Sequence, residues 1–236
     1  MKTIKLVSLI LFATVLFQST SLQAKGDRQA RQVSGFHGIS VSSGIDLYLT
    51  QKNVEEVFVE AEPEDLDKII TKVENGILVI TVKDKSWWGL GWNNRPKKVF
   101  VSFNTLDKLN ASAGSDVNST AVLKFDKLNL DVSSGSDVSL ELEARELRAG
   151  SSSGSDISLK GKAEVMEADA SGGSDIDARE LESKKCVARV SSGSDIEVYV
   201  TKELDANASS GGDITYSGKP KTKEIRKSSG GDVHSR

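Results

Sequence analysis

The sequence predicts an all-β fold: a single-stranded parallel β-helix (β-solenoid) with about 19 residues per coil and a β-rich N-terminal cap containing one short helix. The main observation is a six-residue motif, Ser-(Ser/Ala/Gly)-Gly-(Ser/Gly)-Asp-(Val/Ile), which occurs seven times after residue 111. Its copies begin at Ser112, Ser133, Ser152, Ser171, Ser191, Ser209 and Ser228. Successive motif aspartates are separated by 21, 19, 19, 20, 18 and 19 residues, and this period is typical of stacked coils.

Apolar residues alternate with polar ones on both sides of each motif. The position after the aspartate is β-branched in every copy: Val117, Val138, Ile157, Ile176, Ile196, Ile214 and Val233. This period of two predicts two short strands per repeat, and the intervening glycine, which tolerates positive φ, predicts a turn. Because one coil cannot bury its own apolar stripe, coils are expected to stack at about 4.8 Å with parallel pairing. The usual crossover rule makes the coil right-handed.

Residues 1–24 have the features of a cleaved export signal. Lys2 and Lys5 precede the apolar run 6–17, and Ala24 ends a segment suited to signal peptidase. The run is short for a transmembrane helix, so we expect no transmembrane segment in the mature chain. The remainder divides into a β-rich cap over residues 25–108 and a solenoid of seven coils over residues 109–236. Export predicts a periplasmic, outer-surface or extracellular location.

Composition narrows the function classes. The chain has 236 residues, of which 37% are hydrophobic and only 6% aromatic, as in a soluble repeat protein with few bulky core residues. Loss of Lys2 and Lys5 with the signal moves the net charge from −3 to −5, which gives no electrostatic reason to bind nucleic acid. The single cysteine, Cys186, occupies an apolar column of the repeats, so we expect a buried, unreactive thiol.

The first half of the chain is organised differently. Residues 42–47 form an eighth, degenerate copy of the motif, which precedes the regular series by 70 residues and indicates a coil followed by an insertion. Asn75-Gly76 predicts a tight turn, and Pro63 with the acids after it predicts a short helix over residues 63–70. Strands are predicted at Ile45–Gln51, Val57–Ala61, Ile77–Val82 and Lys98–Phe103. We expect this half to cover the first exposed edge of the solenoid.

Three segments and the repeats after them resemble a known family. They are Val33–Gln51, Val57–Glu62 and Gly76–Ile80, followed by the repeated Ser-Gly-Ser-Asp. From about Arg31 to the last repeat, the chain is similar to the putative auto-transporter adhesin head family, also called the GIN domain family. The resemblance implies a secreted bacterial protein with a right-handed single-stranded β-helix and an adhesive surface role. It implies no enzyme chemistry and no cofactor.

The motif aspartates are candidate functional residues because stacking would align them. They are Asp116, Asp137, Asp156, Asp175, Asp195, Asp213 and Asp232. Carboxylates about 5 Å apart repel by roughly 3 kcal/mol per pair at an effective dielectric of 20. We favour a structural turn ladder relieved by hydrogen bonds from backbone N–H groups and from hydroxyls, including those of the first motif serines, with no metal bound. Calcium binding is the alternative, because Ca²⁺ prefers oxygen ligands.

The segment 86–96 contains all three tryptophans, Trp87, Trp88 and Trp92, among glycines and asparagines. A loop between strands is normally polar, so these residues are candidate ligand-binding residues. They can stack on a glycan, anchor a surface or matrix protein, or form a homo-oligomer contact. The alternative is that they fill the core of the cap.

The sequence offers little to a catalytic site. Only two histidines occur, His37 and His234, and the serines and aspartates recur as repeats instead of forming one unique constellation. We therefore predict a non-enzymatic, secreted or surface-exposed, adhesin-like binding module on a β-solenoid scaffold. A carbohydrate-active β-helix enzyme and a purely structural envelope component are the alternatives; the enzyme would need two unique carboxylates across one cleft.

Overall fold

The computed structural model describes residues 27–83 and 95–236. The predicted signal segment, residues 1–24, lies outside this range. The described residues form an all-β fold with one short helix, as predicted. The elements of the first half are β1 (Asp27–Arg31), β2 (Gly38–Ser42), β3 (Asp46–Gln51), β4 (Glu56–Ala61), α1 (Pro63–Leu66), β5 (Ile69–Glu74), β6 (Ile77–Val82) and β7 (Lys98–Phe103).

The second half is built from strands that stack coil upon coil. These are β8 (Lys108–Ser112), β9 (Asp116–Ser119), β10 (Leu123–Ser133), β11 (Asp137–Ser152), β12 (Asp156–Ser171), β13 (Asp175–Val190), β14 (Asp195–Ala208), β15 (Asp213–Ser217), β16 (Thr222–Lys227) and β17 (Asp232–Ser235). From β10 onward, each strand pairs in parallel with its equivalent in the next coil. The predicted β-solenoid is therefore confirmed, with about seven turns of about 19 residues each.

The degenerate first motif copy forms a coil of the same stack. Strand β2 pairs in parallel with β8, and β3 pairs in parallel with β9, although the intervening chain folds elsewhere. That insertion supplies β6 and β7, which extend the two sides of the stack in parallel, and β5 and β4, which pair with them in antiparallel fashion. Strand β1, which precedes the first coil in the chain, pairs in antiparallel fashion with β4. The insertion thus covers the edge that the first coil would otherwise expose.

The insertion departs from the sequence prediction at one place. Helix α1 is a single turn, Pro63–Leu66, whereas a helix was expected over residues 63–70. Ile69 instead begins strand β5, where its side chain is 1% exposed and the strand pairs with β6. Burial of Ile69 in a sheet outweighs the local helical pattern. Asn75 and Gly76, with φ of 51° and 75°, form the predicted tight turn between β5 and β6.

One continuous apolar core runs along the stack. The β-branched residue after each motif aspartate points inward and is at most 7% exposed in all seven copies. Cys186 lies in the same core and is 2% exposed, as predicted for a structural thiol. Desolvation raises the pKa of this thiol to about 12, so the reactive thiolate is suppressed.

The last coil leaves two strand edges open. Among the described residues, β16 pairs only with β14, and β17 pairs only with β15. All six residues of β16 are exposed. Three of them, Lys223, Arg226 and Lys227, carry positive charge, which discourages edge-to-edge pairing with another chain.

Candidate functional site

Each motif forms the same turn between two strands. The second and third motif residues both adopt positive φ, for example Ser153 at 59° and Gly154 at 66°. A glycine takes this conformation without a Cβ penalty, which explains the fixed glycine at the third position. The turn delivers the motif aspartate as the first residue of the following strand.

The fourth motif residue is a buried serine in the first five copies. Ser115, Ser136, Ser155, Ser174 and Ser194 are all 0% exposed. The Oγ of Ser174 accepts a hydrogen bond from the N–H of Ser171 at 3.2 Å and lies 2.8 Å from the carbonyl oxygen of Ser151 in the preceding coil. In turn, the N–H of Ser174 donates to Ser194 Oγ at 3.0 Å. These hydroxyls therefore satisfy backbone groups within and between coils.

This arrangement differs from the expected one. The sequence predicted that backbone N–H groups and serine hydroxyls, including those of the first motif serines, would donate to the motif aspartates. In the described structure, the fourth motif serine makes hydrogen bonds within its own turn and to neighbouring turns. Of the first motif serines, the Ser209 hydroxyl lies 3.4 Å from the Val190 carbonyl oxygen. In the last two copies, Gly212 and Gly231 replace this serine, and their N–H groups donate to Ser209 and Ser228 carbonyls instead. A Cβ at Gly231 would lie 2.5 Å from backbone atoms of the preceding coil, which explains glycine at this position.

The motif aspartates face outward in one straight row, here called the Asp row. Their strands pair in register, so each aspartate lies opposite the next, and Asp46 of the degenerate copy adds an eighth. Adjacent members are about 5 Å apart, the spacing of paired strands. The Asp row is Asp46, Asp116, Asp137, Asp156, Asp175, Asp195, Asp213 and Asp232.

Desolvation and neighbouring negative charge raise the pKa of two members of the Asp row, Asp116 and Asp195. The pKa of Asp116 is raised mainly by desolvation, and the negative charges of Asp46 and Asp137 raise it further. Desolvation, then Asp175 and Asp213, likewise raises the pKa of Asp195. Backbone donors give partial relief, because the N–H of Asp195 donates to Asp175 Oδ1 at 3.1 Å. The row therefore presents acceptor oxygens whose charge is only partly compensated by the protein.

Cations pair with Asp232 of the Asp row and with Asp177, which lies beside the row. Lys227 forms an ion pair with Asp232 and lowers the pKa of that carboxyl. Arg179 contacts Asp177 at 2.6 Å and lowers its pKa in the same way. Among the described residues, no ion pair joins a cation to six members of the Asp row, which are Asp116, Asp137, Asp156, Asp175, Asp195 and Asp213.

A second outward row runs beside the Asp row. Its members lie in register with one another, and on each strand that carries a member of the Asp row they follow that aspartate by two residues. Phe100 on β7 and Phe58 on β4 continue the row beyond Tyr48. From the N-terminal end, the second row is Phe58, Phe100, Tyr48, Asn118, Ser139, Ser158, Asp177, Glu197, Thr215 and His234. Large rings thus occupy one end of this row, and small polar side chains follow them.

The small side chains leave a shallow trough of about 410 Å³ between the two rows. It spans four coils, and Asp177, which pairs with Arg179, lines its C-terminal end. The outward polar residues that line it are Asp116, Asn118, Asp137, Ser139, Asp156, Ser158 and Asp175. The trough offers carboxylate, amide and hydroxyl groups at regular intervals, so it can hydrogen-bond an extended partner.

The ring end of the second row was not predicted from the sequence. Tyr48 stacks on Phe100 with ring centroids 5.1 Å apart and planes inclined by 17°. The Arg28 guanidinium lies 4.5 Å from the Phe58 centroid and 4.7 Å from that of Phe100. The signal available in the sequence was alternation: each of these aromatic residues occupies an outward position in a strand whose neighbours point inward.

The predicted ligand-binding residues Trp87, Trp88 and Trp92 lie outside the described residues. The residues on either side of that segment both contact the region of α1. The N–H of Lys83 donates to the Lys68 carbonyl at 2.7 Å, and Arg95 pairs with Glu64 and with Asp65. Asp65 is 1% exposed and also pairs with Lys68 at 2.9 Å.

Each of the two histidines lies beside an exposed aspartate. His37 lies 2.9 Å from Asp107 and His234 lies 3.3 Å from Asp232, and all four side chains are exposed. Within residues 27–83 and 95–236, no three His, Cys, Asp or Glu side chains are arranged to hold a metal ion. Nor does this part of the chain contain a helix long and apolar enough to cross a membrane.

Comparison with known proteins identifies both a family and a fold. The family described as "Putative auto-transporter adhesin, head GIN domain" matches residues 35–220. A putative adhesin from Bacteroides fragilis NCTC 9343 is 22% identical, with 90% of this chain and 97% of that chain covered and a TM-score of 0.83. No curated protein sequence matches the chain.

Two further solved structures have the same fold. A putative adhesin from Parabacteroides distasonis ATCC 8503 is 20% identical over 91% of this chain and 98% of that chain, with a TM-score of 0.70. A putative lipid binding protein from the same organism is 20% identical over the same shares, with a TM-score of 0.66. At these identities the likeness concerns the fold, and the names do not assign a ligand to this chain.

Proposed function

Because the chain belongs to the putative auto-transporter adhesin family with a head GIN domain, we propose that it is an exported, surface-exposed, non-enzymatic binding module. Residues 1–24 serve as the cleaved export signal, residues 25–108 as the cap, and residues 109–236 as a rigid rod of seven coils. The partner is a glycan or a surface or matrix protein.

The observation that carries this proposal is the flat face formed by the Asp row and the second row. The same types of acceptor and hydroxyl recur on consecutive coils in parallel register, so the face offers many equivalent contacts to an extended partner. An enzyme needs a few groups in one unique geometry. A face of repeated groups supports binding instead.

The three tryptophans remain proposed ligand-binding residues. The described residues on either side of the segment, Lys83 and Arg95, both contact the α1 region at the capped end of the rod. This end lies beside the ring end of the second row, since β7 and β4 belong to both. Binding through the tryptophans and binding through the flat face are therefore compatible.

The test is binding of the purified protein to an array of neutral and acidic glycans and of extracellular matrix proteins. We expect saturable binding to at least one class, and no turnover of any bound glycan. A variant with Trp87, Trp88 and Trp92 all replaced by alanine tests the loop separately. Absence of binding to every class would contradict the module and leave a structural envelope component. Cleavage of a bound glycan would favour the carbohydrate-active enzyme.

A further inference from the structure

We infer that the C-terminal end of the rod docks on the surface of an anionic lipid bilayer. The docking surface is the last coil, residues 219–236, here called the basic end. This end lies opposite the cap, so docking there is additional to the proposed binding function. Three features of the described residues support it: the composition of the core columns in β16, a cluster of lysines without carboxylate partners, and a separation of charge along the rod.

The core columns of the solenoid change character at the basic end. Strand β16 pairs with β14 so that three buried residues of β14 lie opposite Lys223, Ile225 and Lys227. These three buried residues, at most 2% exposed, are Leu204, Ala206 and Ala208. Ile225 itself is 40% exposed. The core columns therefore end in an exposed isoleucine between two lysines, whose aliphatic stems can cover apolar surface while their ammonium groups reach outward.

The lysines at this end differ from most cations of the solenoid in having no carboxylate partner. Nine of the 11 cations in residues 109–218 form an ion pair. The N–H of Lys221 donates to the Lys202 carbonyl at 2.8 Å, so these two lysines lie at one corner of adjacent coils. The lysines of this region that form no ion pair within the described structure are Lys202, Lys219, Lys221 and Lys223. Their ammonium groups are available to an external anion.

Charge is separated along the rod. Residues 219–236 contain six Lys or Arg and two Asp or Glu, a formal charge of +4, whereas residues 109–218 contain 11 and 20, a formal charge of −9. An anionic surface therefore attracts the basic end and repels the side of the rod. Electrostatic interactions fall off over about 8 Å at physiological ionic strength, which is less than two coils of about 4.8 Å each. End-on docking thus keeps most of the acidic side chains beyond the range of the surface charge.

The exposed isoleucine favours a bilayer over other anionic partners. Ile225 gains from contact with the apolar layer beneath lipid headgroups, and a soluble polyanion has no such layer. A long polyanion would also have to follow the side of the rod, where the net charge is negative. A bilayer instead presents its anionic headgroups in one plane, which matches a compact basic end. Docking of this kind holds the rod upright, with the cap farthest from the membrane.

The test measures cosedimentation of the purified protein with vesicles of phosphatidylcholine alone and of phosphatidylcholine mixed with phosphatidylglycerol. We expect binding to the anionic vesicles only, and its loss in about 0.5 M NaCl, where charges are screened. Lys219→Ala with Lys221→Ala should weaken binding by about 25-fold, since each lysine near an anionic surface contributes about fivefold. The control is Lys108→Ala with Lys162→Ala, which removes two exposed lysines on earlier coils that also form no ion pair in the described structure. It should change binding by less than about twofold.

A third variant tests the apolar contact. Ile225→Ser should weaken binding to anionic vesicles by roughly fivefold, because it removes apolar area and keeps every charge. Thermal unfolding of each variant separates lost contact from lost fold. Absence of binding to anionic vesicles, equal binding to both vesicle types, or equal losses in the two double-lysine variants would overturn the inference.

Two further measurements identify the other partners that a basic surface can take. Binding to soluble heparin without vesicle binding would overturn the inference in favour of a polyanion. Self-association that Lys219→Ala with Lys221→Ala abolishes, again without vesicle binding, would overturn it in favour of a second copy of the chain. Each of these outcomes leaves the proposed binding function intact, because the glycan and matrix-protein array tests that function separately.

Discussion

Ile45 donates its backbone N–H to the Oγ of Ser115 at 3.3 Å, although 70 residues of chain separate them. Ser115 in turn donates its N–H to Ser136 Oγ at 3.0 Å, so the buried serine column joins the first coil to the regular series across the insertion. The insertion therefore leaves the stack continuous. The buried hydroxyls, together with backbone hydrogen bonds between turns, hold neighbouring turns in register.

Replacement of one buried hydroxyl tests that role. In Ser174→Ala, the N–H of Ser171 loses its acceptor and the carbonyl of Ser151 loses a neighbouring donor. We expect the free energy of unfolding to fall by about 1–3 kcal/mol, the cost of leaving buried polar groups unsatisfied. Urea denaturation measures this change. The matched control is Ser171→Ala in the same turn, because the Ser171 side chain is exposed and makes no hydrogen bond in the described structure. A comparable loss of stability in both variants would contradict the stabilising role of the buried Ser174 hydroxyl.

Gly161 provides a sharper test of coil packing. Its φ is +111°, and a Cβ at this position would lie 2.1 Å from the carbonyl oxygen of Leu142 in the preceding coil. Because the obstructing atom is backbone, we expect Gly161→Ala to destabilise the fold by about 3 kcal/mol or more. Gly154→Ala is the control, since its φ is +66° but no heavy atom lies within 4 Å of the added Cβ. That variant should cost only about 1–2 kcal/mol for the left-handed backbone.

The sequence was sufficient to predict the stack and its turn. A fixed period with β-branched residues after each aspartate leaves few folds other than coils in register. It could not decide which motif serine is buried, because both positions carry the same residue and only the two consecutive left-handed residues between them orient the fourth position inward. The alternation of apolar and polar residues therefore did not show whether the first or the fourth motif serine is buried.

The ring end of the second row was beyond sequence reasoning for a different reason. Tyr48, Phe58 and Phe100 lie on three strands, and β4 joins β7 in antiparallel fashion within the insertion. Which of these rings lie side by side depends on the register of β7 against β3 and β4, which no repeat specifies. Strand β5 was missed because residues 69–74 follow a helical start signal, and only tertiary pairing with β6 makes them extended.

Cys186 should behave as a core residue in solution. Its thiol is 2% exposed, and desolvation raises its pKa to about 12. At pH 8 the native protein should react with a disulfide reagent far more slowly than a free thiol, and the rate should rise sharply in denaturant, where the pKa returns toward 8.5. Rapid labelling under native conditions would contradict the burial of this side chain.

Two aspartates of the flat face should respond to pH with opposite sign. The folded-state pKa of Asp116 is raised, so its charge costs stability above that pKa, and the cost disappears below the unfolded value near 3.9. Asp116→Asn should therefore stabilise the protein at pH 7 and have no effect near pH 3.

Asp177 should behave in the opposite way, because Arg179 lowers its pKa. Its carboxylate therefore stabilises the folded protein at pH values above the unfolded pKa, and this stability is lost as the pH falls through the folded pKa. Asp177→Asn should destabilise the protein at pH 7, with the difference again vanishing in acid. Both side chains are solvent-accessible, so each change should stay below about 1 kcal/mol. Urea unfolding of both variants at pH 7, 5 and 3 measures the change in the free energy of unfolding. A change of the same sign in the two variants at pH 7 would contradict the opposite charge environments of Asp116 and Asp177.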